Sequence, residues 1–289
     1  MELRNPMQFA ALLFNGHADG QWTLPEPILA ARDALTRLDG IELPDTPPEH
    51  PATVRDRLAY LIATGGDLDP TPVIDAQRAL DEYSERIQLM RQAREIAGNN
   101  LATVLADHAS EAITEHLAPA FDEIATRLRI DFMATDHIGS STPAAVLLTQ
   151  PKPVRDALIR IDTSVQRYEL VRQAHSILLR ITQARSQDEV GYFAEVRNTE
   201  KVWPAVAEIA RTTRYAPTTP PWPTTGTRDR LAWLFANGGQ VWLPTTTQQD
   251  ARYLEVFGEK LERDRINRSN LSGYRAMTGV AVNGGPTDD

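Results

Sequence analysis

The chain has 289 residues and a mass of 32.1 kDa, enough for one large domain or two ordinary ones. Hydrophobic residues at 42% and charged residues at 24% match an ordinary globular protein, which excludes wholesale disorder and a fibrous repeat. A formal charge of −9 sets the whole-molecule field against nucleic acid and anionic membrane, and the absence of cysteine removes disulfides, thiolate metal ligands and cysteine nucleophiles.

The first element is an apolar stretch, Met7 to Phe14, that leads into Gly16-His17-Ala18-Asp19 rather than a small-residue cleavage site. It is expected to be the first core helix. No run approaches the roughly 20 apolar residues that span a bilayer. The strongest signal is an internal repeat: Arg55 to Gly66 aligns without gaps on Arg228 to Gly239, nine of twelve positions being identical. A fainter third copy opens the chain, where Phe9 to Gly16 ends in Leu-Phe-Asn-Gly and Gln21 to Pro25 resembles Gln240 to Pro244. Each copy reads as a helix of about three turns, a glycine stop, a short extended stretch, a proline and a second helix. Leu58, Leu61 and Ile62, and likewise Leu231, Leu234 and Phe235, have the spacing of one buried face. Thr53 with Asp56 reads as a capping box. The second helix of the first copy carries Glu26, Arg32, Asp33 and Arg37 in balance, which favours a packing module over a DNA-reading one.

From Pro72 a seam of alternating three and four spacing runs through Val73, Ala76, Leu80, Tyr83, Ile87, Met90, Ala97, Leu101 and Val104, with Arg94 its one break. Gly98-Asn99-Asn100 is its weak point, a place to kink or end, and Pro119 opens a further helix to about Arg129. A second long pattern follows Pro153, through Val154, Leu158, Ile161, Val165, Tyr168, Val171 and Ile181. Residues 73–118 carry eight acids and four bases, a net of −4, and residues 152–186 carry seven bases and three acids, a net of +4. Opposite charge makes an antiparallel pairing of these two helices the expectation. Between them, residues 131–151 form a connector with a short helix at Pro143 to Leu148. Residues 188–215 hold one or two shorter helices.

These elements give an all-α fold, an elongated helical bundle with a long antiparallel helix pair and repeated helix-Gly-Pro-helix modules. The segments are an N-terminal module with two repeat copies (1–70), a long-helix body (71–216), a stiff Pro/Thr-rich linker (217–226), a C-terminal repeat module (227–268) and a flexible tail (269–289).

Among chemistry-bearing residues, His108, Glu111, Glu115 and His116 lie within about two helical turns but lack the paired Glu-x-x-His order of a bundle di-metal site. Asp136-His137 followed by Ser140-Ser141 puts an acid, a base and hydroxyls in one loop without a nucleophile elbow. The Asn15-Gly16-His17 loop reads as turn chemistry. No phosphate-cradling glycine loop is present, so no catalytic residue, metal or cofactor is expected. Arg160, Arg167 and Arg172 form a possible basic face, and the tryptophans offer stacking surfaces, yet a net charge of −9 argues against a protein built to neutralise phosphates.

The expectation is therefore a non-enzymatic structural or interaction protein, an adaptor or assembly component that offers the seam residues Leu80, Tyr83, Ile87, Met90, Leu101 and Val104 to a protein partner or to itself. A nucleic-acid-associated protein using residues 152–186, and a helical enzyme with its site near the 131–150 connector, are the alternatives. Only three of the 30 basic residues are lysines. In its arginine-rich, lysine-poor, cysteine-free helical character the chain is similar to proteins of actinobacterial phages and prophages, with no motif that assigns a family. A cytoplasmic setting, or a virion-associated one for a phage protein, follows as the expected location, with no membrane partner.

Overall fold

A computed structural model describes residues 6–42, 46–138, 149–182, 184–212, 219–224 and 226–278. Among these, regular structure is helical, joined by a single isolated antiparallel bridge between Val196 and Val241. The chain forms two compact units, Met1–Ala109 and Ser110–Asp289.

The first unit holds α1 (Pro6–Ala18), α2 (Glu26–Asp39), α3 (Pro51–Ala63) and α4 (Thr71–Asp107). Its core joins Ala10, Leu13 and Phe14 of α1 to Ile28, Ala31 and Leu35 of α2 and to Leu101 and Leu105 of α4. The helix pairs α1–α2 and α3–α4 turn in the same way. Gln21 N–H donates to the Gly16 carbonyl at 2.8 Å and Gly66 N–H to the Leu61 carbonyl at 2.9 Å, each around a glycine with positive φ, Gly20 (+67°) and Gly65 (+90°). This six-to-one bond satisfies carbonyls that the helix end leaves open, and only glycine takes the left-handed turn without strain.

Three local expectations are corrected here. Gly16 lies inside α1 rather than stopping it: the Trp22 indole rests on its Cα, where a Cβ would meet ring atoms at 2.0 Å, and Trp22 Nε1 donates to the Leu13 carbonyl at 3.1 Å. The cap of α3 is His50, whose side chain accepts from Ala52 N–H at 3.2 Å, so Thr53 and Asp56 lie within the helix and form no capping box. α4 runs unbroken through Gly98-Asn99-Asn100, with Gly98 buried, and the helix packs on α2. Arg94, the break in the seam, serves the same contact. Its guanidinium reaches the Leu38 carbonyl (3.3 Å) and the Asp39 carboxylate (3.3 Å), placing a cation on the C-terminus of α2.

The short turn α5 (Ala109–Glu111) straddles the boundary, and the second unit continues with a π-helical turn (Ala112–Leu117), then α6 (Ala118–Ala134) and α7 (Lys152–Ile181). Phe121, Ile124, Leu128 and Phe132 give α6 a continuous buried face, and this face takes α7. The pair is antiparallel, since Phe121 meets Tyr168 (ring centroids 5.1 Å apart) while Asp131 meets Arg160. Within its own unit each long helix has a nearer partner. α7 takes α6 as its partner and α4 takes α2 and α3, because each long helix finds an apolar face close to it in sequence.

Beyond α7 come α8 (Thr199–Val202), α9 (Pro204–Arg211), α10 (Thr227–Ala236) and α11 (Thr246–Thr278). α10 and α11 repeat the turn of the first unit, with Gly238 at φ +73° and Gly239 N–H donating to the Leu234 carbonyl at 2.7 Å. Trp222, in the segment expected to be a stiff linker, is packed between Trp203 (5.6 Å) and Trp233 (5.9 Å). α11 carries the helix to Thr278, past the expected start of a flexible tail at 269. The expected helix at 143–148, the linker residues 217–218 and 225, and the last eleven residues lie outside the described residues.

Candidate interaction surface

Each of the three repeat copies ends its first helix on the same backbone turn, but only α10 and α1 bury the apolar face that precedes it. In α10, Leu231 and Leu234 are fully buried, and Phe235 packs its ring 5.9 Å from Phe132 beneath the Arg129 guanidinium. In α3 the matching Leu61 and Ile62 are exposed, as is Tyr60, at 70%. Only Pro51 and Val54, in its first turn, are buried. α3 packs on α4, and from Ala59 to Ala63 every residue is exposed.

The seam of α4 divides in the same way. Leu101 is fully buried and Val104 half-buried beside it, so this end of the seam holds the unit together. Leu80, Tyr83, Ile87 and Met90 are only half-buried. A shallow hollow runs along this stretch, lined by Ile87, Arg91 and Glu95. Outside the seam, Ile74, Leu89 and Ile96 are each exposed by more than half. Sequence reasoning missed these three and the open face of α3. The signal for the first three was present, as apolar residues out of register with the seam; α3 carried no such signal, because its pattern equals that of the buried α10.

The arginines of the basic face are placed on α7 and have internal work. Arg160 donates from Nε and Nη2 to Asp131 Oδ1, at 3.1 and 2.6 Å, pairing a carboxylate that is almost wholly buried. Arg172 donates to the Trp242 and Ala194 carbonyls, tying α7 to the two strands of chain that form the isolated bridge. Arg160 and Arg167 line a groove of about 290 Å³ between α6 and α7, with Arg127 and Glu123 across it.

Asp136 and His137 both adopt positive φ, 51° and 56°, and His137 N–H donates to the Phe132 carbonyl at 2.8 Å. This is the same six-to-one closure, made here without glycine, and it accounts for the turn as the cap of α6. His137 Nε2 is buried without a hydrogen-bond partner. Ser140 and Ser141 lie outside the described residues. Among the described residues no three histidine, aspartate or glutamate side chains converge to hold a metal ion, His108 serving as the C-cap of α4. Two buried polar groups of α7 are tied into the core. The Tyr168 hydroxyl donates to Glu195 at 2.8 Å, and burial drives its pKa upward. His175 Nε2 donates to the Pro244 carbonyl at 2.8 Å.

No helix among the described residues is long and apolar enough to cross a membrane. Comparison with protein-family models, curated proteins and solved structures gives no significant match.

Proposed function

We propose that the protein is a non-enzymatic assembly or adaptor component that engages other protein through the α3–α4 hairpin. The observation that carries this reading is the open apolar surface of the hairpin: Leu80, Tyr83, Ile87 and Met90 half-covered on one helix, Tyr60, Leu61 and Ile62 uncovered on the other. Two helices bury only the side on which they meet, and a contiguous apolar surface rimmed by charge marks a contact with another protein more often than a monomer's bare skin. Leu101 and Leu105, buried in the core of the first unit, anchor the hairpin and take no part in docking.

The test is the pair Leu80→Glu with Ile87→Glu in the full chain, two charges placed in the seam where burial is incomplete. The expected outcome is loss of oligomer mass in light scattering, or loss of the proteins that co-purify with the chain, with helical content by circular dichroism retained. Unchanged mass together with unchanged partners overturns the reading.

A further inference from the structure

One buried acid of the second unit has no counter-charge. Asp188, in the chain between α7 and α8, is 4% exposed. Its Oδ2 accepts from the Phe193 N–H at 2.7 Å and from Gln249 Nε2, on α11, at 3.3 Å. Oδ1 is closed to solvent and accepts from nothing. No base pairs with this carboxylate among the described residues, and Arg252, three residues beyond Gln249, is held by Glu200 and Glu255. A buried carboxylate without an opposite charge is strongly unfavourable, so this one calls for a partner that the chain itself does not supply.

A second buried oxygen in the same corner is also unused. The Tyr192 hydroxyl has no hydrogen-bond partner, on a residue only 7% exposed. Its ring is fixed in place, stacked on Phe257 at 5.8 Å and met edge-on by Trp203 at 5.8 Å, while Tyr253 stacks on Phe257 at 4.9 Å. Burial first, and the Asp188 carboxylate after it, raise the pKa of both phenols, which sets Tyr192 and Tyr253 in the field of that one charge. Residues 186–193 carry Asp188 and Glu189 and no base. Asp250 accepts from Ser186 Oγ and from the Gln187 N–H, each at 2.6 Å, so the exit of α7 and the first turns of α11 already meet here through oxygen.

We propose that this corner is a binding site for a monovalent alkali cation, sodium or potassium, held between Asp188 Oδ1 and the Tyr192 hydroxyl oxygen. One carboxylate balances one positive charge, and carboxylate and phenol oxygens are the hard donors that such an ion takes. A divalent ion would call for further carboxylates, and no three acids converge among the described residues. The bound ion supplies the missing counter-charge and fastens the 186–193 segment to α11, where Gln249 and Asp250 already bridge the two. The site lies in the second unit and is independent of the assembly reading of the hairpin.

The test is thermal unfolding of the full chain, followed by circular dichroism in sodium, potassium or choline chloride at one ionic strength, with a chelator to remove divalent ions. Choline is too large for a closed site and serves as the reference. The wild-type midpoint is expected at least about 3 °C higher in one of the alkali salts than in choline, and to climb with the logarithm of alkali concentration as choline is replaced. Asp188→Asn keeps an acceptor for the Phe193 N–H and removes the charge; it is expected to melt alike in all three salts. Tyr192→Phe keeps the ring on Phe257 and removes only the hydroxyl; it is expected to need at least about ten-fold more alkali for the same rise, and it keeps the test decisive if the Asn variant does not fold. Equal wild-type midpoints in the three salts overturn the proposal, a bridging water then filling the space. A dependence that either variant leaves unchanged overturns it as well, as the mark of an adventitious ion only.

Discussion

At Gly16 a single missing side chain decides how the first unit closes. The indole of Trp22 occupies the place of the absent Cβ and is buried, its Nε1 bonded to the Leu13 carbonyl. Gly16→Ala would drive a methyl group into ring carbons at about 2 Å, next to the Nε1 that bonds the Leu13 carbonyl, so the ring cannot shift away without straining that bond. Overpacking of this kind typically costs about 1–3 kcal/mol. Urea denaturation of the Ala variant is expected to show a loss in that range, and a loss below about 0.5 kcal/mol would contradict the contact. The sequence made Gly16 visible as a glycine at the end of an apolar run, yet not as a packing site. Its true counterpart in the other copies is leucine, Leu61 and Leu234, and the left-handed stop is Gly20 four residues on. A glycine chosen for close approach and one chosen for positive φ look alike until the neighbour that fills the space is known.

At the scale of the element, α3 and α10 pose the sharpest contrast, since nearly the same sequence has opposite surroundings. Leu234 is fully buried in the cluster with Val196 and Val202, whereas Leu61 is 51% exposed. Leu234→Ala is expected to cost about 2–5 kcal/mol, and Leu61→Ala less than about 1 kcal/mol when measured below the concentration at which the chain associates. Equal losses at the two positions would mean that α3 is covered as α10 is. Helix existence was legible from period and punctuation: α4 and α7 follow their apolar spacing, and the stops at Gly65 and Gly238 adopt the left-handed turn that the repeat required. Which helix packs on which was less legible. The opposite charges of residues 73–118 and 152–186 suggested a partner for each long helix, but exposed charge contributes only a few tenths of a kcal/mol per pair, and within the second unit it is the buried stripe of Phe121, Ile124, Leu128 and Phe132 that takes α7. The basic face had a similar fate. Arg160 and Arg172 were readable as cations but not as the partners of a buried Asp131 and of two backbone carbonyls, because those partners lie 22 to 70 residues away in sequence.

For the molecule as a whole, an excess of nine negative charges at pH 7 means that acidification first relieves self-repulsion, so any early loss of stability on the acid side must come from particular buried groups. His175 is such a group. It is buried on α7, and desolvation lowers its pKa from 6.5 to about 4; the hydrogen bond to the Pro244 carbonyl opposes this, and the Arg172 guanidinium adds to it. Because the folded pKa is the lower one, the unfolded chain binds the proton more tightly. At pH above 6.5 the imidazole is neutral in both states and contributes nothing. As pH falls from 6.5 towards 4 the unfolded state gains a proton that the folded state refuses, and stability declines, by about 3 kcal/mol over the full interval. Below about 4 both states are protonated and this contribution levels off. Unfolding free energies from urea titrations at pH 7, 6, 5 and 4 are expected to fall along this course in the wild type. His175→Gln, which keeps a donor for the Pro244 carbonyl and cannot titrate, is expected to show a shallower decline between pH 6.5 and 4. Parallel pH profiles for the two proteins would show that His175 takes up its proton without disturbing the packing of α7.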